Sequence, residues 1–230
     1  MNNVVAIIPV RGGSKGIIGK NLIPINGKPL VSWTIESALD STKVSKVFVT
    51  TDSKDIMEFV QERYPEVCVV DRPESMATDT SPSEDAIIHV LDYSGIKDID
   101  LVVFLQATSP LRYVGDIDKA LDQYVLEEAD TLFSGVPLTS ACVWDDTPNS
   151  VTYDYKNRGM RQDDNRKTLI VENGSIYIFT PDFIKKHRNR LGGKISVYLM
   201  DKPQLQEIDD VTDLIICEEN LKQYWGEHGV

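Results

Sequence analysis

Apolar residues in this chain fall into short runs separated by longer amphipathic stretches. Residues 4–10 are almost continuously apolar and predict a buried strand. Residues 29–39 follow with helical spacing, Leu30, Trp33 and Ser37 near one face and Val31, Ile35 and Leu39 near another. The alternation continues with strands at 47–51, 67–70, 101–105 and 131–136, and helices at 54–63, 83–91 and 116–126. Strands separated by helices predict an α/β chain with a Rossmann-like, mostly parallel sheet and helices on both faces. The rhythm breaks over 137–172, which is polar, rich in Asp, Asn and Arg, and carries a short β-like piece at 150–155. That stretch reads as an excursion from the sheet: a flap, a dimerisation arm or both. Strands at 175–179 and 195–199 and a last helix over 211–225 restore the pattern. No repeat or low-complexity tract interrupts it, so residues 1–230 read as a single domain.

In an open parallel sheet, ligands sit beyond the carboxyl ends of the strands. Three polar clusters follow predicted strands: Arg11 to Asn21, Thr51-Asp52, and Gln106 to Arg112. The first is the most informative. Its Gly12-Gly13-Ser14 turn carries three cations, Arg11, Lys15 and Lys20, and exposed backbone N–H groups backed by such cations can surround a triphosphate. The loop is neither a GxxxxGK[ST] nor a GxGxxG sequence, and a Gly-Gly-Ser turn alone reads first as a structural turn; Arg11, Lys15 and Lys20 shift the balance.

Charge sharpens this picture. The net charge of −12 opposes general binding to nucleic acid or anionic membranes, so an anionic substrate needs a local basic pocket. The three cysteines, Cys68, Cys142 and Cys217, form no CxxC pair and read as reduced packing residues. The N-terminal apolar run is too short for a signal peptide or a membrane span, which leads to a cytoplasmic expectation. His89, His187 and His228 show no triad or metal spacing; His187 falls in a basic cluster that reads as a solvated helix end.

The segment Ile8-Pro9-Val10-Arg11-Gly12-Gly13-Ser14-Lys15-Gly16, with Lys20-Asn21-Leu22, resembles the signature of the acylneuraminate cytidylyltransferases, the CMP-sialic acid synthetases. Further blocks match in order: Arg72 to Ser81, Leu105 to Arg112, Glu172-Asn173-Gly174-Ser175-Ile176-Tyr177, and Glu207-Ile208-Asp209-Asp210. The resemblance spans nearly the whole chain. It implies a nucleotidyltransferase fold and a reaction in which the anomeric hydroxyl of a nine-carbon 2-keto sugar acid attacks the α-phosphate of CTP, releasing pyrophosphate. It also implies a homodimer, and Mg²⁺ or another divalent cation such as Mn²⁺.

The resemblance carries roles onto particular residues. Arg11, Lys20 and Asp209 would be catalytic. Arg11 and Lys20 would hold the triphosphate, with backbone donors from Gly12, Gly13 and Ser14, Lys15 as a third cation and Asn21 touching the nucleotide. Arg72, Ser81 and Ser83 would read cytosine, although Arg72-Pro73 taken alone is a surface turn. Gln106, Thr108, Ser109 and Arg112 would line the sugar-acid side. Arg161-Gln162 would take the carboxylate, since an Arg fork suits one, and Tyr177 would border the sugar or else sit in the core. Glu207 and Asp209, two apart on an extended segment, would present paired oxygens to the metal. Asp210 would serve instead as a cap for the last helix.

Two departures bear on the substrate. The family often reads Asp where this chain has Glu207. Its sialic acid members usually carry a basic residue in the segment matching Ser140 to Asp146, and none is present. That leaves legionaminic acid, KDN and related nonulosonates open beside N-acetylneuraminate. A Kdo cytidylyltransferase is the alternative, opposed by Asn21, where those enzymes usually have Pro. A non-catalytic nucleotide-binding protein is the other.

Overall fold

The structure is a computed structural model that describes residues 3–14, 16–93, 99–138 and 169–228, together with Trp144, Asp154 and Lys156. In chain order the elements are β1 (Val4–Pro9), β2 (Pro24–Ile25), β3 (Lys28–Pro29), α1 (Leu30–Leu39), β4 (Val44–Thr51), α2 (Lys54–Arg63), β5 (Cys68–Asp71) and α3 (Ser83–Tyr93). Then come β6 (Leu101–Leu105), α4 (Asp116–Leu126), β7 (Thr131–Leu138), β8 (Leu169–Phe179), α5 (Pro181–His187), β9 (Ile195–Leu199) and α6 (Val211–His228).

The main sheet has seven strands in the order β5-β4-β1-β6-β8-β7-β9. β8 runs antiparallel to both neighbours, and every other pairing is parallel. Alternation along the strands divides the core in two. Val4, Ala6 and Ile8 face α1, α2 and α4 through Val31, Ile35, Ile56, Val60, Ile117 and Leu121. Val5 and Ile7 face the other way, toward Ile87 and Leu91 of α3 and Ile184 of α5. Helices therefore cover both faces, as the alternating pattern predicts.

A third apolar cluster does the work of positioning. Ile17, Ile25, Leu30 and Trp33 pack with Ile208, Cys217 and Leu221, so α6 is docked against the segment that follows the Gly-rich loop. Cys217 is buried there, and burial first, with Asp213 adding, pushes its thiol up to about 12. It is a reduced packing residue, as expected, and Cys68 is also a free thiol. Among the described residues no helix is long and apolar enough to cross a membrane.

The predicted excursion is narrower than residues 137–172 suggested. β7 continues through Leu138 and β8 already begins at Leu169, pairing Pro137 with Ile170 and Leu138 with Leu169. Within β8 the register slips between the pairs Phe133–Tyr177 and Gly135–Glu172. The extra residues, Asn173 to Ser175, form a bulge, with Gly174 at φ +66°. Asn-Gly reads as a turn in sequence, which is why the strand was expected to start only at Ser175.

Candidate active site

A cleft of about 300 Å³ opens beyond the carboxyl ends of β1, β5 and β6. Arg11, Ser14, Lys20, Asn21, Arg72, Ser81, Ser83, Gln106, Thr108, Glu207 and Asp209 all line it, so the polar clusters that follow β1 and β6 converge, whereas Thr51-Asp52 after β4 is not in the lining. The bulge in antiparallel β8 adds to the same end, because Ile176 pairs with Leu105 at the last turn of β6.

The first loop is folded back on the sheet. The Val10 N–H donates to the Thr50 carbonyl at 2.9 Å, and Asn21 Nδ2 donates to the Arg11 carbonyl at 2.9 Å. A Cβ on Gly12 would lie 2.7 Å from Ser53 Cβ, so only glycine permits this approach to the start of α2. The Gly12 N–H donates to Asp52 Oδ1 at 2.9 Å. It is therefore committed to a carboxylate instead of facing a phosphate, which corrects the expectation for that donor. Gly13 has open space around its missing Cβ. Lys20 is buried and donates to the Ile208 carbonyl at 2.6 Å and to Asp209 Oδ1 at 3.3 Å. The approach is close: a Cβ on Gly16 would lie 2.1 Å from the Asp209 carbonyl oxygen.

Arg72 stands out on the opposite wall. It follows β5 and is only 6% exposed. Its Nη2 lies 3.7 Å from Asp52 Oδ1, beyond hydrogen-bond length, and neither Nε nor Nη2 has a hydrogen-bond partner. Burial lowers its pKa from the ordinary arginine value, Asp52 works against that and Arg11 adds to it. A buried guanidinium with orphan donors is costly. Lining a cleft, it marks the place where an acceptor-bearing ligand would sit. Ser81 Oγ meanwhile closes its own loop, lying 2.6 Å from Thr78 Oγ1 and accepting from the Thr78 N–H at 3.2 Å.

The acidic side is set by the bulge and by the segment before α6. The Ile208 N–H donates to the Thr108 carbonyl at 2.9 Å, which fixes Glu207 and Asp209 on either side of it. A Cβ on Gly174 would lie 2.1 Å from Glu207 Oε1 and 3.1 Å from Gln106 Oε1. The Glu207 carboxyl thus rests directly on a glycine. Burial first, then the charges of Asp209 and Glu172, raise its pKa, with Lys20 opposing. Asp210 Oδ1 accepts from the Thr212 N–H at 2.7 Å and the Asp213 N–H at 3.0 Å, so it caps α6 and is not part of the cleft lining. No group of three His, Cys, Asp or Glu able to hold a metal occurs among the described residues. Two carboxylates facing one cleft are the donor set that suits Mg²⁺ when phosphate oxygens and water complete its shell.

The raised Glu207 gives a stability prediction. A carboxyl with a raised folded pKa stabilises fully below the ordinary value of about 4.3 and loses that contribution as pH rises through the folded value. Glu207→Gln removes the repulsion. In EDTA at pH 7 its melting temperature is expected to rise on the order of 2 °C, with the gain shrinking toward pH 4. Calorimetry across that range checks it, and a pH-independent difference would contradict it.

Three expected sugar-side residues are instead structural. Ser109 is buried and donates to the Asn173 carbonyl at 3.0 Å, holding the bulge. Arg112 is buried beneath the cleft and donates to the carbonyls of Gln106 at 2.8 Å and Ser175 at 2.7 Å and to Thr34 Oγ1 at 2.9 Å. Burial pushes its pKa down to about 9, with Asp116 opposing. Tyr177 is buried, stacks on Phe104 at 5.3 Å and donates to the Glu172 carboxylate. None of the three lines the cleft, because their polar atoms serve backbone or neighbouring side chains. Lys15, Arg161 and Gln162 lie outside the described residues.

The structure also adds residues that no motif reading assigned. Asp52 receives Gly12 and faces Arg72, and Asp79 pairs with Arg11 at 2.9 Å. Asp52 follows β4 at the strand end where ligands collect, a signal already in the sequence; Asp79 falls inside the matching block Arg72 to Ser81, where no role was assigned to it.

The family model described as Cytidylyltransferase matches residues 5–223. The chain belongs to the cytidylyltransferase family. This cytidylyltransferase chain is 33% identical over 219 residues to the N-acylneuraminate cytidylyltransferase of Escherichia coli O18:K1:H7, covering 91% of this chain and 50% of that protein. The match to its counterpart from Streptococcus agalactiae likewise covers 51% of that protein, so the chain spans about half the length of these relatives. The pseudaminic acid cytidylyltransferase of Campylobacter jejuni is 28% identical, with 90% of this chain and 91% of that protein covered. In fold, the chain is similar to a CMP:2-keto-3-deoxy-manno-octonic acid synthetase complexed with CTP, at a TM-score of 0.73 and 17% identity over 96% of this chain and 99% of that one.

Proposed function

We propose that this chain is a CTP-dependent cytidylyltransferase that converts a nonulosonic acid, a nine-carbon 2-keto sugar acid, to its CMP-sugar and releases pyrophosphate. The observation that carries the base assignment is Arg72, a buried guanidinium in the cleft lining whose Nε and Nη2 have no hydrogen-bond partner. An acceptor-rich base edge such as cytosine O2 and N3 supplies what those donors lack, and a site that leaves them unpaired rejects the wrong base strongly. The names of the relatives support the sugar acid.

In the reaction the anomeric oxygen forms a bond to the α-phosphorus, the α–β bridging bond breaks, and the hydroxyl proton leaves to solvent. Negative charge grows on the departing pyrophosphate. Arg11 and Lys20, which both line the cleft, would neutralise it, and no covalent nucleophile on the protein is required. Glu207 and Asp209 would hold Mg²⁺ or Mn²⁺, which supplies Lewis-acid polarisation of the phosphates when bound. Lys20 contacts only Oδ1 of Asp209, at 3.3 Å, which leaves Oδ2 for a cation. Among the described residues, Gln106 and Thr108 are polar groups of the cleft left for the sugar acid. The functional unit is a homodimer acting in the cytoplasm.

A panel of N-acetylneuraminate, legionaminate, pseudaminate, KDN and Kdo with CTP and Mg²⁺ tests the reading by pyrophosphate release. One of the four nine-carbon acids is expected to react, and Arg11→Ala or Asp209→Ala to lower that rate at least ~100-fold. Release with Kdo alone, or with none, overturns it.

A further inference from the structure

The cleft holds one carboxylate that the reaction does not explain. Asp79, in the loop between β5 and α3, places Oδ1 2.9 Å from Arg11 Nη1, and Arg11 Nη1 also reaches the Thr78 carbonyl at 3.5 Å. Both Arg11 and Asp79 line the cleft. The loop that carries Asp79 is built to present it: the Ala77 N–H donates to the Glu74 carbonyl at 3.0 Å, the Ser81 N–H to the Thr78 carbonyl at 3.2 Å, and Ser81 Oγ meets Thr78 Oγ1 at 2.6 Å.

An acid aimed at a phosphate-binding cation is costly for binding. It occupies the cation in the free protein and repels the polyanion when that arrives. Two other carboxylates in the cleft, Glu207 and Asp209, sit together on the segment before α6, where a divalent cation would offset their charge. Asp79 is placed on the other side, against Arg11. The side chains of Arg11 and Asp79 are 36% and 47% exposed, so their ion pair is solvated, weak and easily exchanged. Pyrophosphate offers Arg11 the same oxygens as the triphosphate from which it came. A cleft whose cations were all free would hold that product.

We propose that Asp79 is a displaceable counter-ion of Arg11 that lowers the affinity of the cleft for polyphosphate and sets the release of pyrophosphate. This rests on the reading of the cleft as a nucleotide triphosphate site. Asp79 acts through Arg11 and is a positioning residue. It yields Arg11 to the incoming phosphates and takes it back as pyrophosphate leaves.

Equilibrium binding of inorganic pyrophosphate, with and without Mg²⁺, tests this on the whole chain carrying Asp79→Asn, Asp79→Ser, Arg11→Gln and the Asp79→Asn/Arg11→Gln pair. Both Asp79 variants are expected to bind pyrophosphate about five- to tenfold more tightly than the unmodified chain, and the gain to fall below about twofold when residue 11 is Gln. A merely structural role would weaken binding or leave it unchanged, and either result in both Asp79 variants overturns the proposal. So does an equal gain without Arg11, which would be a general field effect. Weaker binding in Mg²⁺ only would make Asp79 a metal-side residue instead. If the unmodified chain binds CTP but Asp79 substitution does not tighten pyrophosphate, this proposal alone fails; if it binds neither, the triphosphate reading fails with it.

Discussion

Arg72→Met is expected to lower kcat/KM for CTP about 100-fold while leaving the protein at least as stable as before. The two effects share one cause. Arg72 is buried, its Nε and Nη2 have no partner, and burial lowers its pKa. The folded chain therefore carries an unpaid desolvation cost that a bound base would relieve. Methionine fills similar space without that cost, but offers nothing to the base. A hydrogen bond to a charged group contributes about 1.5–3 kcal/mol, and two donors make a 100-fold loss a modest expectation. Arg72→Lys should not restore activity, because an ammonium lacks the planar fork. Discrimination between CTP and UTP, measured as a ratio of kcat/KM values, should collapse in both variants. Unchanged discrimination would remove Arg72 from base recognition.

The second large effect is expected at a residue with no side chain. Gly174→Ala should cost about 1–2 kcal/mol of stability through its left-handed φ of +66°, yet lower turnover about 100-fold. The added Cβ would stand 2.1 Å from Glu207 Oε1. A carboxylate at the end of a flexible side chain can swing away, so the fold survives while the oxygen that would hold the metal does not keep its place. Gly27→Ala is the control. Its φ is +83° with nothing within 4 Å of the new Cβ, so it carries the backbone penalty alone. Melting temperatures should fall alike in the two variants, and the metal concentration for half-maximal activity should rise only in Gly174→Ala. Equal activity losses in both would refute the argument.

The elements were legible wherever apolar periodicity was strong. The strand over Leu101–Leu105, the strand over Ile195–Leu199 and the helices over Lys54–Arg63 and Asp116–Leu126 fall where the pattern predicted them. The small hairpin of β2 and β3 was missed although its Asn26-Gly27 turn was in plain view. Two residues per strand give no period to read, and both turn residues adopt positive φ. β8 was cut short at its bulge for the related reason that Asn173-Gly174 imitates a turn. In the site, the cations of the cleft and two of its acids, Glu207 and Asp209, were named from the motif blocks, while Asp79 was not. Ser109, Arg112 and Tyr177 do not line the cleft, because a polar residue at a strand exit can face outward or the interior, and the sequence is the same in either case.

By itself, the amino-acid sequence determined the alternation of strands and helices, the end of the sheet at which ligands collect, and the chemical types gathered there. Those follow from local periodicity and from the geometry of parallel strands. Only the tertiary structure decided which polar groups have partners. Arg112 and Arg72 are both buried arginines beyond strand ends, yet the first leaves only Nε without a hydrogen bond and bonds two backbone carbonyls and a threonine hydroxyl, while the second leaves Nε and Nη2 without one and has Asp52 at 3.7 Å. That difference depends on contacts made by residues tens of positions away, and no local pattern encodes it.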